Sequence, residues 1–306
     1  MENDKILVEV AAYRDPDLLN TINSALKQAD YPARVNFSIC FQGDNLQDFH
    51  ALQRISNCKI KHLDESESKG PCYARYQCQK MLENEKYVFQ IDSHMRFIKH
   101  WDTEMIKQLL SLNDNKATIS YYPPNLESTM DQLMVSNKVF DQPTQSTIIY
   151  PKKFREENYF LEFDSRFARD DEPMPLRSPF IAAGNFFAFA DAHREVLHDP
   201  EMCWFGDELP MAIRLYTHGW NNYSPPHCYI YHKYLRQNRA IPNNYYKEKQ
   251  KEDSRLAQLL GLDNHNSDMG EFKLGQVRTL AEFEEYAGIN FYDKTVSEKA
   301  RMGHFG

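Results

Sequence analysis

The chain has 306 residues, of which 42% are hydrophobic and 13% aromatic, and it carries a formal net charge of −8 at pH 7. This composition supports a buried core and fits one large α/β domain or a domain with an appendage. The negative charge argues against a nucleic-acid binder and against a basic membrane-surface anchor, because both rely on cationic side chains that face phosphates.

The N-terminus leads from charged residues straight into an apolar strand, and the sequence has no run of about 18 apolar residues. Six cysteines are present without a CxxC pair, and several lie in apolar runs such as FSICF. This pattern is typical of buried thiols in a reducing compartment, rather than of disulfides or a zinc site. We therefore expect a soluble cytoplasmic protein without a membrane span.

Apolar strands alternate with helices over the first 125 residues. Asp15 fits a helix N-cap and Pro16 the first helical position, and a further helix is predicted to begin near Pro71. Strands separated by helices indicate parallel βαβ units, so the expected fold class is α/β. The predicted strands are 5–13, 35–42, 58–63, 87–92 and 118–124.

The pattern is less regular between about 125 and 180, where Pro, Asp and Arg are frequent. We interpret this segment as a loop-rich or hairpin region that faces the substrate. Beyond it, a strand is predicted over 180–190, a helix over 208–219 and another strand over 228–234. The tail begins with a helix of mixed charge, which indicates a solvated face.

The strand FQID runs directly into Ser-His, so Asp92 and His94 stand two residues apart at a strand end. Side chains at i and i+2 project from the same face of a strand, and open α/β sheets bind ligands at the carboxyl ends of their strands. A carboxylate with an imidazole suits a divalent cation such as Mn²⁺ better than Ca²⁺. A hydrogen-bonded polar pair is the alternative that this pattern leaves open.

Eight blocks of the sequence, in the same order, resemble a known enzyme family. They are VAAYRDP (10–16), KGPCYARYQCQKM (69–81), YVFQIDSHMRFIKHWD (87–102), SYYPP (120–124), SPFIAAGNFFAF (178–189), WFGDELPMAIRLYTHGW (204–220), YIYHKY (229–234) and LGQVRTLAEFEEYAGINF (274–291). In these blocks the chain is similar to GT-A glycosyltransferases, with the metal motif in its Asp-x-His form, and it most resembles the family that includes the cytoplasmic hydroxyproline-directed GlcNAc-transferases. A weaker similarity to polypeptide GalNAc-transferases is carried by GPCYAR, IDSH, AAGNFFAF and the block from FGDEL to RLYTHG.

The resemblance implies a Rossmann-like GT-A fold with a mostly parallel central sheet flanked by helices. It implies a catalytic domain over 1–240, which includes an acceptor-facing insertion at 125–180, and a helical extension over 241–306 packed on the same domain. The implied reaction is a metal-dependent, retaining transfer of GlcNAc from UDP-GlcNAc to a hydroxyl group of a protein or glycan. Mn²⁺ or Mg²⁺ is the expected cofactor and the UDP-sugar the expected donor.

The resemblance also implies which residues bind the donor. The end of the first strand would cradle the base and ribose, and Arg75, near a helix N-terminus, would contact the nucleotide. The structural alternatives are an ordinary strand end and a surface ion pair. Gly184 and Asn185 interrupt an apolar strand, which fits a close approach to the donor. The donor-binding candidates are Ala11, Ala12, Tyr13, Arg14, Arg75, Asp92, Ser93, Gly184, Asn185 and Trp204.

A third metal ligand should come from a distant strand that meets the same cleft. The sequence offers His227, which follows two prolines in an expected loop, and His232, which ends the apolar run YIYH. The resemblance favours His232, so the predicted metal ligands are Asp92, His94 and His232. Arg96, beside the motif, is a further candidate for a phosphate contact.

Asp207 and Glu208 stand where a helix is predicted to begin. Their structural explanation is that negative charge is favoured at a helix N-terminus. The resemblance places an acidic residue of this block against the sugar or the acceptor, so both are candidate catalytic residues, and it implies that they orient groups rather than attack. Two other functions are considered, a metal-dependent nucleotide-sugar hydrolase and a noncatalytic sugar- or nucleotide-binding module.

Overall fold

The computed structural model describes residues 4–126, 140–235, 245–263 and 268–306. Its first half alternates strands and helices as predicted, and the strands predicted at 35–42, 58–63 and 87–92 are confirmed to the residue. The strands over 35–42 and 87–92 are mostly apolar and buried, as expected where both faces of a sheet are covered, whereas the strand over 58–63, at the edge of the sheet, is half polar and partly exposed. The elements are β1 (Ile6–Tyr13), α1 (Leu18–Gln28), β2 (Val35–Gln42), α2 (Leu46–Gln53), β3 (Cys58–Leu63), α3 (Pro71–Gln79), β4 (Tyr87–Asp92), β5 (Met95–Phe97), α4 (Trp101–Ser111) and β6 (Ala117–Ser120).

The second half contains shorter elements. The segment predicted to be loop-rich or a hairpin does hold an antiparallel hairpin, β8–β9, and residues 127–139 of it lie outside the described residues. The elements are β7 (Thr144–Gln145), β8 (Thr147–Phe154), β9 (Leu161–Phe167), β10 (Leu176–Arg177), β11 (Asn185–Phe189), α5 (Asp191–Glu195), α6 (Leu209–Thr217), β12 (Asn221–Ser224), β13 (His227–Cys228), β14 (Ile230–His232), α7 (Tyr245–Leu259), α8 (Leu280–Ala287), β15 (Ile289–Asn290), β16 (Thr295–Val296) and α9 (Glu298–Arg301).

The described residues form an eight-stranded sheet in the order β10-β12-β6-β11-β4-β1-β2-β3. The strands β3, β2, β1 and β4 are parallel to one another, whereas β11 is antiparallel to both of its neighbours. On the other side of β11, β6 pairs in parallel with β12, and β10 is antiparallel to β12. The sheet is therefore mostly parallel, and the predicted α/β class is confirmed.

Some predicted elements differ from the structure. The strand expected over 118–124 ends at Ser120. The strand expected over 180–190 begins only at Asn185, because residues 183–184 form a turn in front of it. The strand expected over 228–234 is two short strands outside the main sheet, β13 paired with β7 and β14 paired with β5. The helix after β1 begins at Leu18 with Asp17 as its N-cap residue, so the N-cap assigned to Asp15 is wrong.

The C-terminal segment packs on α6 through apolar side chains. Leu256 and Leu259 of α7 and Phe283 of α8 join a buried cluster with Leu209 and Ile213 of α6. The burial of this cluster connects the end of the chain to the helix that follows Asp207 and Glu208. The six cysteines are free thiols, five of them buried and Cys58 half-buried.

Candidate active site

A cleft of about 930 Å³ opens at the carboxyl edge of the parallel strands. The ends of β1 and β4, the N-terminus of α3, the turn before β11, the loop before α6 and the residues after β14 all contribute to its wall. Because strands with one direction end at one edge of a sheet, residues far apart in sequence meet there. Twelve of the predicted site residues line the cleft: Ala11, Tyr13, Arg14, Arg75, Asp92, Ser93, His94, Gly184, Trp204, Asp207, Glu208 and His232.

Two predicted donor-binding residues lie outside the cleft. Ala12 belongs to the buried core because side chains alternate along β1, and its neighbours Ala11 and Tyr13 take the face that meets the cleft. Asn185 is 0% exposed, and its Nδ2 donates to the backbone carbonyl of Tyr121 at 2.9 Å. Its side chain therefore supports the strand end, and the expected hydrogen bond to the donor is not available to it in this arrangement.

Asp92, His94 and His232 converge at one point of the cleft wall. The Nε2 atoms of the two histidines are 3.0 Å apart, and Oδ2 of Asp92 lies 3.1 Å from His232 Nε2 and 3.8 Å from His94 Nε2. β14 delivers His232 by pairing with β5, which places it opposite Met95. His227, the other histidine considered, is exposed in β13 and not in a loop as predicted, and it does not line the cleft.

Asp15 supports this cluster from behind. Its Oδ2 lies 2.8 Å from His94 Nδ1 and accepts a hydrogen bond of 2.7 Å from Ser93 Oγ. Burial alone would raise the pKa of Asp15, but its hydrogen bond to His94 helps lower that pKa to about 2. A carboxylate on Nδ1 fixes the imidazole so that Nε2 presents its lone pair to the cleft. The sequence analysis assigned Asp15 to a helix cap and missed this contact, although its position just after β1 is where cleft residues are expected.

We expect Asp15→Asn to weaken divalent-metal binding by about 10- to 100-fold, the usual cost of losing a carboxylate that orients a metal-bound histidine. The measurement is the affinity for Mn²⁺ in the presence of UDP, by titration calorimetry. Asp17→Asn is the matched control, because Asp17 pairs with Arg96 rather than with a histidine of the cluster. Equal affinities for Asp15→Asn and the unmodified protein would contradict this role.

Arg75 links the cluster of Asp92, His94 and His232 to the acidic residue Asp207. It is only 3% exposed, and its Nη2 contacts Asp92 Oδ1 at 2.8 Å while its Nε contacts Asp207 Oδ2 at 3.2 Å. Burial alone would raise the pKa of Asp92, but its hydrogen bond to His232 and the charge of Arg75 hold that pKa well below its usual range. The surface ion pair considered for Arg75 is therefore wrong, because the pair is buried and involves two carboxylates.

Asp207 and Glu208 immediately precede α6, but their side chains turn away from the helix end. Glu208 Oε2 accepts from the Tyr122 hydroxyl at 3.0 Å, and its Oε1 accepts from the backbone N–H of Ala183 at 3.3 Å. Neither carboxylate caps the helix. Burial raises the pKa of Asp207 to about 6, although the charge of Arg75 opposes this rise. Burial also raises the pKa of Glu208, to about 8, and the nearby Asp207 carboxylate adds to that rise.

Backbone geometry shapes the rest of the cleft. Arg14 adopts a positive φ of 46° and pairs with Glu65 at 3.0 Å. A Cβ on Gly184 would lie 2.6 Å from Asp92 Oδ2, so only glycine allows this backbone to approach the carboxylate. Arg96 pairs with Asp17 at 2.7 Å and does not line the cleft, so its predicted phosphate contact is not available in this arrangement.

This fold, with its cleft at the carboxyl edge of a mostly parallel sheet, is the GT-A fold. The model of the glycosyltransferase (GlcNAc) family matches residues 44–293, most of the chain, and the chain belongs to that family. A search of curated proteins gives no match. In the described part of the chain, no helix is long and apolar enough to cross a bilayer.

Solved structures are similar to this chain at low sequence identity, and this chain shares the fold of one of them. A crystal structure of GalNAc-T7 with UDP, GalNAc and Mn²⁺ has a TM-score of 0.59 and 14% identity over 92% of this chain, which spans only 56% of that chain. Structures of S. aureus TarS 1–349 have TM-scores of 0.48. The TarS structure in complex with UDP-GlcNAc is 12% identical, and the match covers 87% of this chain and 68% of the TarS chain. The other TarS structure is 13% identical, and the match covers 75% of this chain and 60% of the TarS chain.

Proposed function

We propose that this glycosyltransferase is a metal-dependent, retaining enzyme that transfers GlcNAc from UDP-GlcNAc to a hydroxyl group of a protein or glycan. The observation that carries the proposal is the convergence of Asp92, His94 and His232 beside Asp207 in one cleft. Membership of the GlcNAc family supports the sugar, and a structural relative crystallised with UDP and Mn²⁺ supports the donor and the metal. The cytoplasmic location and the division into 1–240 and 241–306 are part of the same proposal.

The three side chains fit a divalent cation. One carboxylate oxygen and two imidazole nitrogens lie 3.0–3.8 Å from one another, close enough for all three to bind one cation. Asp15, on Nδ1 of His94, leaves the Nε2 atom of that ring available as a ligand. Mixed oxygen and nitrogen ligands suit Mn²⁺, with Mg²⁺ as the other candidate. When bound, the ion supplies a Lewis acid for the diphosphate leaving group.

Other residues of the cleft are assigned to binding and positioning of the donor. We assign Ala11, Tyr13 and Arg14 to the base and ribose and Trp204 to the sugar, because all four line the same cleft. Arg75 fixes Asp92 and Asp207 relative to each other through its two ion pairs. Its guanidinium is therefore a positioning group in this proposal, and the nucleotide contact expected of it is secondary.

Asp207 and Glu208 are assigned to the sugar end of the cleft. The resemblance to retaining enzymes assigns them to orientation of the reacting groups, with attack by the acceptor hydroxyl on the face that the diphosphate leaves. Tyr122, which the sequence analysis missed, holds Glu208 through its hydroxyl and lies just after β6 at the same sheet edge.

The experiment that tests this function measures UDP release from a panel of UDP-sugars, with and without metal and candidate acceptors. We expect EDTA to abolish turnover and Mn²⁺ to restore it, with UDP-GlcNAc as the preferred donor. Full activity of the metal-stripped enzyme would contradict the metal proposal. Release that is as fast without any acceptor and forms free sugar would indicate the hydrolase instead.

A further inference from the structure

The loop that precedes α6 is held by a carboxylate from the C-terminal helix α7. Three consecutive backbone N–H groups, those of Trp204, Phe205 and Gly206, donate to the same oxygen, Oε1 of Glu252. The distances are 2.9 Å from Trp204 N and 2.7 Å from Gly206 N, and the contact from Phe205 N is shorter still. Successive N–H groups pointing to one side form a concave anion-binding nest.

Glu252 lies where an ionisable group is costly. It is 0% exposed, and its second oxygen, Oε2, has no hydrogen-bond partner among the described residues. Burial raises its pKa to about 7, although the three N–H donors oppose that rise. Apolar packing also docks α7, because its Leu256 and Leu259 belong to the buried cluster that contains Leu209. A buried carboxylate is costly unless hydrogen bonds compensate for the lost water, and the three that Glu252 accepts all come from the loop, which points to a role in placing that loop.

The loop in question carries part of the active site. Trp204 lines the cleft, and Asp207 and Glu208 follow Gly206 directly and line it as well. Fixing three successive N–H groups fixes the backbone orientation from Trp204 to Gly206. The direction in which the side chains of Trp204 and Asp207 leave the loop depends on that orientation.

We propose that Glu252 is a positioning residue, whose carboxylate holds the 204–206 backbone so that Trp204 and Asp207 face the cleft. The expected effect on sugar transfer rests on the proposed function. The placement of the loop by Glu252 is a structural claim and does not depend on that function.

Tryptophan fluorescence tests this structural claim separately. Trp101 is 0% exposed and Trp220 2% exposed, whereas Trp204 is half-buried and lines the cleft. Quenching by acrylamide therefore reports mainly on Trp204, and Trp204→Phe identifies its share of the signal. We expect Glu252→Ala to red-shift the emission and to raise the quenching constant by about twofold or more, because the loop opens locally.

Two further variants serve as controls for the quenching measurement. Glu252→Gln keeps one acceptor oxygen for the three N–H groups, so we expect its fluorescence to stay near that of the unmodified protein. Arg255→Gln removes another polar contact of the same helix, the 2.8 Å pair with Asp199, without touching the nest. We expect no change in its quenching. Circular dichroism and cooperative thermal unfolding show that each variant is folded.

The kinetics of sugar transfer test whether the placement of the loop affects catalysis. We expect Glu252→Ala to lower kcat by about 10-fold or more, whereas Glu252→Gln, which keeps the acceptor oxygen, should stay near the unmodified kcat, with UDP affinity in the presence of Mn²⁺ unchanged within a few-fold in both. Unchanged Trp204 quenching in folded Glu252→Ala would overturn the proposal, and so would altered quenching with unchanged kcat. If Glu252→Ala does not fold, Glu252→Asp, whose carboxylate is one methylene short of the three N–H groups, takes its place, and normal Trp204 quenching or normal kcat in that variant overturns the proposal. An unmodified protein without transferase activity would refute the proposed function, and the quenching data would still decide whether Glu252 places the loop.

Discussion

We expect His232→Ala to lose metal-supported UDP binding and turnover, and His227→Ala to retain both. His232 Nε2 lies 3.1 Å from Asp92 Oδ2 and 3.0 Å from His94 Nε2, so its removal takes away one of three converging ligand atoms. His227 is exposed on β13 and contributes nothing to the cleft wall. Loss of a ligand should cost more than the roughly 10- to 100-fold typical of a residue that only orients one.

Calorimetric titration of Mn²⁺ in the presence of UDP measures this difference directly, and a UDP-release assay gives its effect on turnover. His227→Ala is the matched control, because it removes the same imidazole from the same stretch of chain. The assignment is wrong if both variants bind Mn²⁺ equally well, or if His227→Ala shows the larger loss.

Asp207→Asn should lower kcat by about 10- to 100-fold at pH 7 while UDP affinity stays within a few-fold. The amide oxygen can still accept from Arg75 Nε, 3.2 Å away, but it lacks the negative charge that strengthens this contact, and hydrogen bonds to charged groups contribute about 1.5–3 kcal/mol. Asp92 keeps its own contact with Arg75, so the metal ligands stay in place.

Glu208→Gln serves as the comparison, and its effect should depend on pH. Burial raises the pKa of Glu208 to about 8, so below that pH its carboxyl group is protonated and resembles the amide. The variant should therefore be close to the unmodified enzyme at pH 7, and the two should diverge as the pH rises through 8, where only the carboxyl ionises. Normal kcat for both amide variants from pH 6 to pH 9 would show that the pair has no part in transfer.

The strands of the parallel half could be predicted from sequence because local pattern determines them. β2 and β4 are mostly apolar runs, β3 alternates Lys59 and Lys61 with apolar residues, and the bounds predicted for all three agree with the structure. The direction of β11 and the separation of β14 from the main sheet depend on which strands become neighbours, and a short apolar run does not encode this. The placement of Ala12 was predictable, since alternation along β1 assigns it to the face opposite Ala11 and Tyr13.

The candidate site was predictable only where its residues are neighbours in sequence or where the family resemblance supplied them. Asp92 and His94 stand on one strand end, whereas His232 was chosen over His227 because of the resemblance. The ion pair of Arg75 with Asp207 spans 132 residues, and the contact of His94 with Asp15 spans 79. Such pairings follow from the order of the strands, which no local pattern gives.

The cluster of Asp92, His94 and His232 is complete only after β14 has paired with β5, so it forms late during synthesis of the chain. His94 and His232 are 138 residues apart, so at about 5–20 residues per second a ribosome completes the second histidine roughly 7–28 s after the first. Until β14 docks, the nascent chain offers only two of the three proposed ligands. An ion that binds the complete set stabilises the finished fold by about 2.7 kcal/mol at a concentration 100 times its Kd. For the proposed metal-dependent enzyme, the supply of divalent metal would then influence how much of the newly made chain stays folded.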